Sequence, residues 1–183
     1  MNNNLLETSH LLLHNKLQIE LIKHKCLKNR IKHEYNVLNN IYINANNNYT
    51  IILLYETELC ILKIIIMEKF KNTNNEYTFI IDKNYPFYPP IFHINNKKYS
   101  QYLKLPSNRF SEQLKKLTNE SCLCCSSLCC KYNWSPAIKL YMFINELNKI
   151  RQYKRNIVYK LLSDCIKDKY LIDDVDIISF LFA

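Results

Sequence analysis

The stretch Cys122-Leu123-Cys124-Cys125-Ser126-Ser127-Leu128-Cys129-Cys130 holds five of the chain's eight cysteines. A thiolate is both a nucleophile and a metal ligand, so such a cluster points to one of two chemistries. The first is nucleophilic catalysis, which suits cysteine because some thiolate exists at neutral pH and sulfur leaves readily. The second is a zinc site: Cys122 and Cys125 form a C-x₂-C pair, and Cys129 or Cys130 could add a ligand. A structural zinc site ordinarily wants a second well-spaced pair, the adjacent Cys129 and Cys130 point in different directions, and the nearest histidine in sequence is His93. Buried small thiols around one nucleophile are therefore the preferred reading. No bound metal is expected, and Cys122, Cys125 and Cys129 are the alternative zinc set.

Two rigid segments flank the cluster. Tyr85-Pro86-Phe87-Tyr88-Pro89-Pro90 precedes it, and Trp134-Ser135-Pro136-Ala137, with the only tryptophan, follows it. Prolines fix φ and remove backbone donors, so both segments read as shaped loops.

The elements that must position these loops follow from periodicity. Leu13, Leu17, Leu21 and Ile31, with Ile22 and Leu27, predict one amphipathic helix from about Leu5 to Tyr35, its other faces crowded with lysine. From Val37 the period changes: runs at Val37-Leu38, 41–43, 49–55, 59–67 and 77–81 are β-branched and aromatic, separated by Asn-rich or charged turns. They predict about four antiparallel strands, with 91–94 a short addition. Phe110 to Leu117 suggests a short helix. A helix after Pro136 through Arg151, another over Asn156 to Lys167 and a last one over Asp173 to Leu181 complete an α+β protein with segregated helices. Cys26, Cys60 and Cys165 fall in helix or strand and are expected in the core. His10 and His14 have helical metal-pair spacing but lack a third ligand, so surface or core positions are expected.

Composition limits the classes further. Glycine is absent and alanine occurs three times, while Asn, Ile, Lys and Tyr abound. AT-rich codons favour this, as in a large DNA virus or a protist. Asparagine should then take the turn positions that need left-handed backbone, as in Asn46–Asn48 or around Asn72–Asn75. Phosphate-cradling and dinucleotide loops, which need glycine, are disfavoured. The charge of +9 is read mainly as codon bias and solubility; the basic residues are too scattered to claim nucleic acid. No secretory signal or membrane-length apolar run is recognised, so the thiols are expected reduced, in cytoplasm or nucleus (of a host cell, for a viral protein).

The order of helix, strand meander, Tyr-Pro-Phe-x-Pro-Pro loop, cysteine, Trp-x-Pro and C-terminal helices resembles the ubiquitin-conjugating enzyme family. The resemblance covers about Leu13 to Arg151 and includes Tyr99, where the family usually has a tyrosine. It implies an α+β UBC-like fold, with a core over residues 1–155 and a C-terminal helical extension, residues 156–183, packed on it. It also implies a nucleophile at Cys124, preceded by Leu123, with Leu128 four residues beyond and Trp134 ten beyond; Cys122 and Cys125 are the alternates. Phe87, Ser135, Pro136 and Ala137 match the ligase-docking positions. The basic first helix, with Lys16, Lys23 and Arg30, resembles the activating-enzyme face.

The chain departs from the family where His-Pro-Asn should follow the tyrosine. Ser100-Gln101-Tyr102 stands there, followed by an insertion of about a dozen residues. Gln101, Tyr102 or Asn119 could replace the lost oxyanion donor. The resemblance implies a modifier (ubiquitin or a relative), an activating enzyme that alone uses ATP, a RING- or HECT-type ligase, no bound cofactor and no membrane partner. The alternative function is a catalytically inert variant that binds ubiquitin or a ligase.

Overall fold

A computed structural model describes residues 2–43, 48–70 and 73–168. Two compact units emerge: Met1–Tyr99 with Trp134–Tyr141, and Ser100–Asn133 with Met142–Ala183.

In the first unit, helices α1 (Asn2–Glu20) and α2 (Lys25–Leu38) precede strands β1 (Tyr49–Glu56), β2 (Ile61–Phe70), β3 (Thr73–Ile81), β4 (Ile91–Ile94) and the short β5 (Lys97–Lys98). The strands form one antiparallel sheet in sequence order. Alternation sets its register. Ile51 pairs with Ile66 and Leu53 with Ile64, Ile64 with Phe79 and Ile66 with Tyr77, and Phe79 with Phe92. All of these side chains are buried, giving one continuous apolar face. Phe79 and Phe92 stack at 4.5 Å, and Phe92 meets Tyr99 at 5.0 Å. From α2, Leu27, Ile31, Tyr35 and Leu38 join the buried set.

The first helix departs from expectation. It breaks at residues 21–24, and Leu13, Leu17 and Leu21 stand exposed, Leu17 at 57 %. The reason lies in what α1 packs against: the polar backbone of the sheet's edge strand. Asn15 Nδ2 donates to Ile51 O at 2.7 Å, and its Oδ1 accepts from Leu53 N at 2.9 Å. Gln18 Oε1 accepts from Tyr55 N at 2.8 Å, and His14 Nε2 lies 3.1 Å from Leu53 O. An edge strand needs its unpaired amides and carbonyls covered. Here an amide side chain supplies what a further strand would, so the inward face is Asn15, Ile19 and Ile22, and the leucine stripe lies off it.

Residues 37–43 form no strand: α2 runs to Leu38 and a π-helical turn continues over Asn39–Ile43. Among the described residues the left-handed positions fall at Cys60, Asn95, Asn96 and Asn119, so asparagine takes three of these four, as the lack of glycine demands. The turn positions expected at Asn46 and Asn47 and at Asn72 lie outside the described residues. Cys26 is exposed and Cys60 half-buried in the β1–β2 turn, where the core was expected. The side chain of Cys165 and the helix expected over Asp173 to Leu181 lie outside the described residues.

The second unit is helical: most of α3 (Tyr99–Tyr102), α4 (Asn108–Thr118), and α5 (Leu140–Asp168) from Met142 on. The two helices expected around residue 155 are one. Phe143, Leu147, Ile150, Ile157 and Leu161 keep a single buried stripe through it. Among the described residues, no helix is long and apolar enough to cross a membrane.

Candidate active site

In the second unit, α4 ends where Asn119 adopts φ 62°, ψ 11° and returns its N–H to Lys115 O at 2.8 Å. The cysteine loop follows. Leu123, 4 % exposed, and Ser127 are buried anchors, while Cys122 is half-buried and Cys124 and Cys125 are exposed. Polar ties fix the backbone between these anchors. Ser127 Oγ donates to Glu146 Oε1 at 2.6 Å, and Leu128 N donates to Glu146 Oε2 at 2.8 Å, so one α5 carboxylate holds the turn. Asn133 Nδ2 donates to Cys125 O at 2.6 Å and to Ser127 O at 3.1 Å. Ser126 Oγ donates to Glu120 Oε2 at 2.6 Å.

With its backbone held, the loop brings three sulfurs together. Cys122 Sγ lies 2.9 Å from Cys125 Sγ and 3.3 Å from Cys124 Sγ; Cys124 and Cys125 are 4.0 Å apart. Hydrogen bonding with Cys125 and Cys124 holds the Cys122 thiol below its ordinary value. The same partnership with Cys122 raises Cys124 and pushes Cys125 up to about 12. Cys129 is elsewhere: burial and the Glu146 carboxylate push its thiol up to about 12. The trio that meets is thus Cys122, Cys124 and Cys125, so Cys124 stands where the alternative zinc set had Cys129.

The three residues considered as oxyanion donors have separate settings. Gln101 is exposed on α3. Tyr102 lies under the Lys154 ammonium, 3.7 Å from the ring centroid; burial raises its hydroxyl's pKa, opposed by Arg151. Asn119 serves as the α4 cap.

In the first unit the two proline loops lie side by side. Trp134 Nε1 donates to Pro86 O at 2.8 Å, and the Tyr85 and Trp134 rings are 6.0 Å apart. This leaves Phe87 77 % exposed, with Ser135, Pro136 and Ala137 exposed on the neighbouring loop. Beneath them sits Glu34, fully buried. It pairs with Arg30 at 2.7 Å, accepts from the Tyr85 hydroxyl at 3.2 Å, and accepts from Leu140 N at 3.0 Å. Arg30 Nη2 also donates to Ile138 O at 2.6 Å. Its guanidinium, 15 % exposed, therefore staples the loops, while Lys16 and Lys23 point outward. Composition and periodicity gave no sign of this staple; the only sequence cue was the i, i+4 spacing of Arg30 and Glu34.

Comparison with protein-family models, curated proteins and solved structures gave no match.

Proposed function

We propose that the protein is a ubiquitin-conjugating-type transferase that carries the C-terminal carboxyl of ubiquitin, or of a ubiquitin-like modifier, as a thioester on Cys124. The observation that carries this reading is the exposed Cys124 thiol on a loop braced by Glu146 and Asn133. Catalysis of this kind rests on positioning, and a fixed thiol on an open surface is what a bulky acyl donor requires. Exposed Phe87 beside Ser135–Ala137 supports docking of a RING- or HECT-type ligase, and exposed Lys16 and Lys23 support contact with an activating enzyme. The α+β order of helix, antiparallel meander, proline loop, cysteine loop and long helix agrees with a UBC-like fold.

In the first step the Cys124 thiolate attacks the carbonyl carbon of the thioester on the activating enzyme. A new C–S bond forms, and the enzyme's thiolate leaves with the electron pair. In the second, a neutral substrate lysine amine attacks the same carbon. The amide C–N bond forms, the C–S bond breaks, Cys124 leaves as thiolate, and the amine proton passes to solvent. ATP is consumed only by the activating enzyme. We assign the activity to cytoplasm or nucleus, where thiols stay reduced.

The second step needs a donor for the oxyanion, and losing such a donor costs about 10²–10³ in rate. The cap role of Asn119 and the stacking of Tyr102 favour a second reading: an inert module that binds ubiquitin or a ligase through Phe87 and Ser135–Ala137. A charging assay with activating enzyme, ATP and ubiquitin separates the two. A reductant-sensitive adduct lost in Cys124→Ala, but kept in Cys122→Ala and Cys125→Ala, supports the transferase. No adduct with several activating enzymes and modifiers rejects it in favour of the inert module.

A further inference from the structure

Three thiols converge on one point of a loop whose backbone is fixed by other groups. All three sulfurs lie within 4.8 Å of one another, at pairwise separations of 2.9, 3.3 and 4.0 Å. Around a tetrahedral zinc with Zn–S bonds of ~2.3 Å, neighbouring sulfurs stand ~3.8 Å apart. Each pair is therefore within about 1 Å of that spacing, a shift side-chain rotation alone supplies.

The loop explains the convergence. Leu123 turns inward, so Cys122 and Cys124 flank it, and Asn133 holds the Cys125 and Ser127 carbonyls so that the chain bends back and brings Cys125 to the other two. Ser127 and Leu128 are tied to Glu146. None of these ties uses a thiol, so the sulfurs remain available. Cys124 and Cys125 are exposed, leaving a path for an ion and an open fourth position for water.

The electrostatics agree. Three thiolates at these separations would repel one another. A divalent cation removes that conflict by displacing the protons. Among thiolate-seeking metals, iron–sulfur clusters ordinarily take four cysteines, and Cys129 lies outside the group of three. Three thiolates plus water satisfy zinc.

We propose that Cys122, Cys124 and Cys125 bind one zinc ion, releasing three S–H protons to solvent as three Zn–S bonds form, with water in the fourth position. One consequence rests on the transferase reading: zinc and the modifier compete for the Cys124 sulfur, so zinc-loaded protein does not charge and a chelator restores charging. The site itself does not depend on that reading.

The test uses the full chain purified in a non-thiol reductant. Zinc content is measured by elemental mass spectrometry, affinity by titration against a chromogenic chelator, and ligation by the sulfur-to-metal charge-transfer band of the cobalt(II) derivative. One zinc per chain is expected. Cys122→Ser, Cys124→Ser and Cys125→Ser should each weaken binding by more than about tenfold, since even losing a group behind a ligand costs 10–100-fold. Cys130→Ser and Cys26→Ser should bind as the parent does, and circular dichroism should be unchanged throughout. Absence of stoichiometric zinc, no charge-transfer band, or full affinity in any one of the three variants overturns the proposal. So does a preference for copper(I) with no zinc bound. Metal-free protein that binds zinc yet never charges keeps the site and removes the transferase reading; protein that charges but binds no zinc does the reverse.

Discussion

Glu34→Gln probes the most consequential buried group in the first unit. The carboxylate is fully buried and accepts three contacts: Arg30 at 2.7 Å, Leu140 N at 3.0 Å and the Tyr85 hydroxyl at 3.2 Å. Glutamine keeps the shape but removes the charge that neutralises Arg30, whose guanidinium is 15 % exposed. Breaking a buried pair from one side costs about 3–5 kcal/mol, because the remaining charge is stranded. For a chain of this size that lowers Tm by roughly 6–20 °C at about 2–4 °C per kcal/mol. Arg30→Met strands the carboxylate instead and costs a similar amount. In the double variant Arg30→Met/Glu34→Leu neither charge is stranded, so its loss should fall well short of the sum, with a coupling of about 2 kcal/mol or more. The assay is built into the sequence. Trp134 is the only tryptophan, and its indole N–H is bound to Pro86 O at 2.8 Å, so its fluorescence reports on the two stapled loops. Each single variant should shift Trp134 emission to the red below the temperature at which far-ultraviolet dichroism is lost. Additive single-variant costs, or losses under about 1 kcal/mol with unchanged Trp134 emission, refute the staple.

Two further predictions test other parts of the structure. Lys154 is buried on α5, and burial lowers its pKa from 10.5 to about 8. At this group the unfolded chain then holds more protons than the folded one between those values. The Lys154 contribution to stability should therefore rise by about 2–3 kcal/mol as pH climbs from 8 toward 10.5, against the opposite trend from the raised thiols and tyrosines. The increment shrinks to the extent that the Tyr102 ring at 3.7 Å holds the ammonium. Lys154→Met should remove this contribution, so the parent should gain stability relative to the variant between the two pH limits in denaturant titrations, and equal slopes for the two would contradict it. On α1, Asn15→Ala should cost about 2–4 kcal/mol by stranding the Ile51 carbonyl and the Leu53 amide. Leu17→Gln, on the exposed stripe, should stay within about 0.5 kcal/mol. The reverse order in urea midpoints would restore the leucine face as the packing face.

These outcomes bear on what a sequence can disclose. The sheet was legible because its strands are β-branched and aromatic runs bounded by Asn-rich or charged turns, and within one of them Leu62, Ile64 and Ile66 form the buried side. The proline loops were legible because Pro86 and Pro136 restrict backbone geometry whatever surrounds them. The first helix misled for a physical reason. Periodicity locates an apolar stripe on the assumption that the helix packs on apolar neighbours, and α1 packs on a polar strand edge that selects Asn15 and Gln18. The single α5 misled through local charge: Lys154 and Arg155 interrupt the pattern, yet Lys154 lies within the buried stripe, its ammonium over Tyr102. The thiol cluster was half legible. Spacing marked the C-x₂-C pair Cys122 and Cys125 but left the third ligand of the alternative zinc set to Cys129 or Cys130. The ties from Asn133 and Glu146 decide otherwise: they fix the turn so that Cys124 joins the pair and Cys129 lies outside the group. Which sulfurs meet is thus set by two polar side chains outside the motif, which no spacing rule for cysteines contains.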